Sequence, residues 1–397
     1  MTTIEQATDI ILSNTLSFGE ESVPLGLATG RILREDLIAD RDFPPFNRVS
    51  MDGIAIQFEY FAKGKRAFKI EGLQAAGAPQ MTLEDTNNCL EVMTGAMLPQ
   101  GTDTVIRYED VDIKDGVATI QIEDVAAKQN IHQRGTDRAA GSLIVKRGCL
   151  ISPAEIGVAA TVGRGSLAVS KKPRVAIIST GDELVDVSEQ PLPHQIRKSN
   201  IHNLAAAVSE WGIMANLFHL PDEKNAIREI LTEVLKNHDA VLLSGGVSAG
   251  KLDFVPDVLE ELKVEKMFHK VSQRPGKPFW FGRNDSTVVF AFPGNPVSSF
   301  MCLNRFFKPW LLASYGLPPF AERYAILSKD FYFKPELTYF LQVKINYGKD
   351  GRLTAVPIEG KGSGDLANLV DADAFLELPR GQDQFEKGEV FPVFFYR

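Results

Sequence analysis

Apolar positions recur at two different periods along this chain, and the switches between them divide it into segments. At the start, Ile4, Ala7, Ile11 and Thr15 carry the spacing of one helix face, after a Thr-rich cap. The stretch DFPPFNRVSMDG (42–53) then stops regular structure with two prolines and closes on Asp-Gly. From there to about residue 130 the pattern is strand-like: GIAI, RAFKIEG, CLEVM, TVIRYEDV and VATIQI, separated by Gly, Pro and Asn. This predicts a β-rich insertion. SPAE (152–155) predicts a helix start, with Ser152 as N-cap, Pro153 at the first helical position and Glu155 reaching back. That helix is expected to run to about Gly163, and the basic linker SKKP (170–173) marks a boundary.

Residues 174–316 alternate strand and helix. RVAIIST, IMANLFHL, DAVLLS and VVFAF read as strands. SNIHNLAAAVSEWG reads as a helix capped by Ser199 or Asn200 and stopped at Gly212. KNAIREILTEVLKNH, DFVPDVLEEL and PVSSFMCLNRFFKPWLLAS read as three more helices. Such alternation predicts a mostly parallel sheet with helices on both faces. Ligands of these sheets sit beyond the carboxyl ends of the strands. The loops at those ends are TGDEL (180–184), SGGVSAGKLD (244–253) and FPGNPVSS (292–299). From about residue 321 the pattern returns to strands, with Lys349-Asp350-Gly351 as a hairpin signal, and predicts a small all-β domain.

Composition narrows the function classes. The chain has 397 residues, 44% hydrophobic and 24% charged, as in globular proteins. No apolar run reaches the ~18–20 residues needed to span a membrane, and the acidic N-terminal stretch lacks the basic region of a signal peptide. Three cysteines form no CxxC pair and favour a reducing, cytoplasmic setting; six scattered histidines contain no zinc motif. A net charge of −8 argues against nucleic-acid binding. It leaves room for an anionic substrate held by a local cluster, and 264–283 supplies Lys266, Lys270, Arg274, Lys277 and Arg283 against the single acid Glu265.

Each loop admits two readings. GGVSAGK, from Gly245, fits Gly-x-x-x-x-Gly-Lys, but Leu252 stands where a P-loop needs Ser or Thr for Mg²⁺. The loop is either an anion cradle at a helix start or a glycine turn with Asp253 as N-cap. TGDEL is either a hard-cation site through Asp182 and Glu183 or a solvated acidic turn. SMDG (50–53) presents Asp52 or merely turns the chain. QRPGKP (273–278) offers Arg274 and Lys277 on a rigid turn for an oxyanion, or is a basic surface loop. In PGNPVS, Asn295 caps and Pro296 starts a helix whatever else the loop does.

SMDG, MTGA (93–96), RGTD (134–137), TGDEL, SGGVSAGKLD, QRPGKP and PGNPVS occur in this order and together resemble the MoeA family, molybdopterin molybdenumtransferases related to the gephyrin E domain. The resemblance spans nearly the whole chain. It implies an α/β multidomain fold. Residues 1–42 and 133–169 would form a discontinuous helical linker domain and 43–132 a β-rich inserted domain. A MogA-like three-layer α/β domain would follow at 170–320, and a small C-terminal β-barrel at 321–397. It implies insertion of molybdate into adenylylated molybdopterin with release of AMP and a need for Mg²⁺, the metal's sulfur ligands coming from the pterin. It also implies a homodimer, with the molybdopterin adenylyltransferase and cofactor-accepting apo-enzymes as partners.

By the same resemblance Glu183 and Asp253 position Mg²⁺, while Lys270, Arg274 and Lys277 bind molybdate or phosphate. Asp52, Thr94, Asp137 and Asp222 join the catalytic set. Gly245, Gly246, Ser248, Pro293, Asn295, Pro296 and Ser363 fall among the substrate-contacting positions. Asp52 and Thr94 are expected to reach the partner chain's cleft. Two other classes stay open: an adenylyltransferase or CinA-like hydrolase on the same α/β domain, and a non-enzymatic gephyrin-like scaffold.

Overall fold

A computed structural model describes residues 1–246, 254–321, 323–358, 360 and 362–397. Ser248 and Asp253 lie outside the described residues. The chain forms two compact units, Met1–Glu21 with Val169–Arg397, and Ser22–Ala168.

The unit Ser22–Ala168 is built on a six-stranded sheet. Its order is Thr104–Arg107, Gly53–Ile56, Cys89–Val92, Ala67–Gln74, Val117–Ile120, Val111–Lys114. Five of these strands coincide with the apolar runs read from the sequence; Val111–Lys114 touches a run only at Val111 and follows the turn Tyr108–Asp110, which the sequence pattern predicts as strand. Ile54, Ile56, Phe68, Cys89 and Ile106 fill its core, each large side chain contributing about 1.5–3 kcal/mol by leaving water. The helix Pro153–Thr161 starts as SPAE predicts. Ala154 N–H donates to Ser152 Oγ at 3.1 Å and Ser152 N–H to Glu155 Oε2 at 2.7 Å. Gly163 follows with φ +75°.

In the other unit the first helix is Ile4–Ser13, opened by a capping box between Thr3 and Gln6. It stops before Thr15, which the helical spacing had included. Asn14 Nδ2 folds back to Ile10 O at 2.7 Å, and the Trp310 indole donates to Asn14 O at 2.9 Å, so the carbonyl is taken from the helix.

The α/β part carries a six-stranded sheet in the order Asn216–Leu220, Val175–Thr180, Ala240–Ser244, Val288–Phe292, Trp280–Arg283, Glu265–His269. The first four strands are parallel, and the last two are antiparallel. The basic stretch 264–283 therefore contains two strands of this sheet that its charge pattern hid. Glu265 and Lys266 are exposed on the edge strand, where charge blocks further pairing. On one face Ile178, Val241 and Leu243 pack on Leu231 and Val234 of helix Lys224–Asn237 and on Val258 of helix Val255–Glu261. On the other face Phe290 meets Phe307 and Trp310, with ring centroids 5.4 and 5.7 Å apart.

The long C-terminal helix of this part is continuous in direction but not in type. Pro296–Cys302 is α-helical, Leu303–Phe307 is a π turn, and Lys308–Ser314 is α-helical again. Arg305, within the π turn and 8% exposed, donates to Glu377 Oε2 at 2.9 Å and to Thr8 Oγ1 at 3.2 Å. It thereby joins three separate segments of the unit.

The last strands close a five-stranded barrel. Thr338–Tyr347 pairs with Leu353–Pro357, which pairs with Tyr324–Leu327, then Val390–Phe395, then Ala374–Leu378, which returns to the first. The Lys349-Asp350-Gly351 signal makes the first hairpin, with Gly351 at φ +81°. Gln273–Arg274 pairs in parallel alongside Thr338–Tyr339, so the QRPGKP turn leans on the barrel. Among the described residues no helix is long and apolar enough to cross a membrane.

Candidate active site

The parallel strands Val175–Thr180, Ala240–Ser244 and Val288–Phe292 end side by side, and the loops that leave them wall a cavity of about 980 Å³. Glu183, Asp222, Gly245, Gly246, Asn295 and Pro296 line it, and so do Pro293, Gly364 and Leu366. Sheet order brings the positions up to Pro296 together from distant sequence, and a loop of the barrel adds Gly364 and Leu366.

The glycines are required by how tightly the loops approach. Gly245 and Gly246 have φ of +98° and +69°. A Cβ on Gly245 would stand 2.7 Å from Thr180 Oγ1, and one on Gly246 3.1 Å from the same atom. Gly181 has φ +119°, and its missing Cβ leaves the space that the Glu183 carboxylate occupies. SGG and TGDEL are thus fitted to one another across Thr180.

Carboxylates brace the rim. Asp222 N–H donates to Asp182 Oδ1 at 3.1 Å, and Asp182 N–H to Asp222 Oδ2 at 3.4 Å. The next segment returns through Ile196 N–H to Glu183 O at 2.9 Å, fixing the Glu183 backbone from behind. His219 lies beside this floor, 3.0 Å from Ser179 Oγ. Burial, with the Lys198 ammonium nearby, holds its imidazole below the ordinary value and favours the neutral form.

Two expected caps are used differently. Helix Ser199–Glu210 has Lys198 as N-cap, with no side-chain cap bond. Asn200 Nδ2 instead donates to Ser244 Oγ at 2.8 Å and Gly294 O at 2.6 Å, linking two cavity loops. Asn295 does precede Pro296 at the start of its helix, but its side chain makes no cap bond. Its Nδ2 donates to Ser363 Oγ at 2.7 Å, while Val297 N–H donates to Ser363 O at 3.1 Å. This brings a barrel loop to the cavity edge. Helix Val255–Glu261 has Phe254 as its N-cap residue.

Lys270, Arg274 and Lys277 are exposed, and the cavity lining takes in Pro278 of their segment but none of the three. Their turn is nonetheless rigid. Val271 N–H donates to Lys277 O at 2.9 Å, and the buried Gln273 Nε2 donates to Gly276 O at 3.0 Å. A Cβ on Gly276 would meet Gln273 Nε2 at 2.7 Å and Cys302 Sγ at 2.8 Å. Lys198 and Arg197, which the sequence did not single out, do line the cavity. Lys198 is 14% exposed and sits 3.3 Å from Asp186 Oδ1.

Asp52, Thr94 and Asp137 belong to the unit Ser22–Ala168. Thr94 N–H donates to Asp52 Oδ1 at 2.6 Å. That backbone bond, reinforced by the Thr94 side chain, holds the Asp52 carboxyl below the usual range. Asp137 is held separately. Arg48 donates to His132 Nδ1 at 3.2 Å, so the opposite nitrogen carries the proton and donates to Asp137 Oδ1 at 2.9 Å.

Among the described residues no group of three or more His, Cys, Asp or Glu is placed to hold a metal ion. The cavity's donors are oxygen: the carboxylates Glu183 and Asp222 and the Thr180 hydroxyl. Mg²⁺ is commonly held by one or two carboxylates together with substrate phosphates rather than by an all-protein cage. The donor set therefore fits that ion.

Comparison with known proteins agrees in all three segments. Residues 2–163 match the family model of the MoeA N-terminal region (domain I and II). Residues 176–313 match the probable molybdopterin binding domain, and 324–396 the MoeA C-terminal region (domain IV). The chain is 40% identical over 398 residues to the molybdopterin molybdenumtransferase of Synechocystis, covering 99% of this chain and 100% of the relative. It is 29% identical to the protein of the same name in Staphylococcus epidermidis, over 98% of this chain and 94% of that one. Two crystal structures of the molybdopterin biosynthesis MoeA protein of Pyrococcus horikoshii superpose on the whole chain. Their TM-scores are 0.86 and 0.85, at 30% and 28% identity, with 99% and 100% of their own chains covered. The chain belongs to the MoeA family, the molybdopterin molybdenumtransferases.

Proposed function

We propose that this enzyme inserts molybdate into adenylylated molybdopterin in a Mg²⁺-dependent reaction that releases AMP. The observation that carries the reading is the convergence of Glu183, Asp222 and the glycine loops 181 and 245–246 in one cavity with oxygen donors. A bound Mg²⁺ would offset charge on the phosphates as the anhydride opens. Glu183, with Asp253, holds that ion. The backbone of Gly245 and Gly246, with Ser248, Pro293 and the Asn295–Pro296 turn, cradles the substrate, and Ser363 steadies the turn from the barrel. The rigid turn at 273–278 presents Arg274 and Lys277, with Lys270 beside it, to the molybdate dianion or a phosphate. Asp222 braces the Mg²⁺ loop. Asp52 and Thr94 act in a homodimer whose partner chain receives them, and Asp137 joins the catalytic set.

The protein purified from a cofactor-free host, given Mg²⁺, molybdate and adenylylated molybdopterin, should release AMP and form molybdenum cofactor. ATP consumption with free molybdopterin would instead identify an adenylyltransferase. Peptide capture without any AMP release would identify a scaffold.

A further inference from the structure

Among the described residues that line the active-site cavity, the cations are Arg197 and Lys198. Arg197 is exposed, and its guanidinium is turned aside, with Nε donating to Glu189 O at 3.1 Å. Lys198 is placed differently. Its side chain is 14% exposed, and its Nζ donates to Asp186 Oδ1 at 3.3 Å, a carboxylate that is itself 65% exposed. An ion pair so open to water on one side is weak and screened by salt, so the ammonium is free to turn to a stronger anion.

The loop that carries Glu183 fixes where Lys198 stands. Leu184–Val185 pairs in parallel with Ile196–Arg197, and Lys198 N–H donates to Val185 O at 3.0 Å. Two residues on, the Asn200 amide is tied to Ser244 and Gly294. The cation is thereby anchored on one side to the carboxylate loop and on the other to the glycine loops. Its charge is felt at the cavity floor: after burial, it is the next cause that keeps the His219 imidazole below its ordinary value. A carboxylate suited to Mg²⁺ with a fixed ammonium beside it is an arrangement that grips phosphate, the ion and the N–H donors sharing its oxygens. The cations of the 273–278 turn, by contrast, are absent from the lining.

We propose that Lys198 is a substrate-binding residue whose Nζ holds the phosphate of the adenylyl group. This rests on the adenylylated-substrate reading of the cavity given above.

Isothermal titration of the full-length protein in Mg²⁺, with AMP, adenosine and molybdate as separate ligands, tests it. Wild type should bind AMP saturably. Lys198→Met should weaken AMP about tenfold or more, the loss of one charge-assisted hydrogen bond, while adenosine and molybdate bind both proteins alike. Lys198→Arg keeps the charge and should stay within about threefold of wild type for AMP. Asp186→Asn frees the ammonium and should not weaken AMP. Circular dichroism first shows that the variants keep the wild-type fold. AMP binding that is equal in wild type and Lys198→Met overturns the assignment and leaves the reading of the cavity standing. Loss of molybdate rather than AMP in Lys198→Met also overturns it, since the cation then serves the other oxyanion. So does Asp186→Asn weakening AMP as much as Lys198→Met, which would reduce Lys198 to one half of an ion pair. Wild-type protein that binds no AMP overturns the reading of the cavity and this assignment with it.

Discussion

The amide of Asn200 donates to Gly294 O at 2.6 Å, tying the start of one helix to the turn that follows a neighbouring strand of the sheet. The same amide reaches Ser244 Oγ at 2.8 Å, so one side chain sets the spacing of three segments around the cavity. Asn200→Ala should cost about 1–3 kcal/mol, because it leaves the buried Ser244 hydroxyl and the Gly294 carbonyl short of a donor. Asn200→Asp should also loosen the turn, since a carboxylate faces the Gly294 carbonyl with no donor, while the Ser244 hydroxyl can rotate to donate to it. Urea denaturation measures the first effect, and a rise in KM for the adenylylated substrate measures the loosened loops.

Gly181→Ala tests the fit between TGDEL and its neighbours. An alanine there must take φ +119° and place its Cβ where the Glu183 carboxylate lies. The backbone strain alone should cost about 1–2 kcal/mol. The displaced carboxylate should also raise the Mg²⁺ concentration needed for half-maximal turnover, which kinetics at varied Mg²⁺ would show. An unchanged Mg²⁺ requirement would remove Glu183 from the ion's ligands.

Asp52 gives a pH signature. Its folded pKa is depressed by the Thr94 backbone N–H. A depressed carboxylate stabilises the folded state above its unfolded pKa, near 3.9. That contribution fades as pH falls toward and through the lower folded value. Wild type and Asp52→Asn should therefore differ in stability at pH 7 and converge in acid. Denaturation of both proteins at a series of pH values, with NMR titration of the Asp52 carboxyl, checks the sign.

The buried pair Arg305–Glu377 should be costly to break singly. Glu377→Leu strands a guanidinium that is 8% exposed, for a loss of about 3–5 kcal/mol. Arg305→Met with Glu377→Leu should recover much of it, because no charge is then left buried. Thermal denaturation of the two single variants and the double variant gives the coupling.

Much of this architecture is legible in the sequence. The SPAE capping box and the strand runs of the inserted sheet are local signals, and the structure places helix and strands on them. The parallel strands betrayed themselves as apolar runs, and the rule that loops meet beyond their carboxyl ends pointed to the cavity. Non-local features escaped. Strand Glu265–His269 at the sheet edge and its neighbour Trp280–Arg283 carry charges that look like a binding patch until their pairing is seen. Asn200 and Asn295 look like helix caps, and only the approach of Gly294 and Ser363 shows where their amides go. Lys198 carries no motif, so its place in the cavity depends wholly on the fold.

Molybdate insertion is tested by AMP release in a single turnover from adenylylated molybdopterin, with Mg²⁺ present and molybdate either present or withheld. Wild-type protein should release AMP fast only with molybdate, and Glu183→Gln should lose most of that rate while keeping its fold. AMP release that ignores molybdate, or that is the same in Glu183→Gln at every Mg²⁺ concentration, would contradict it.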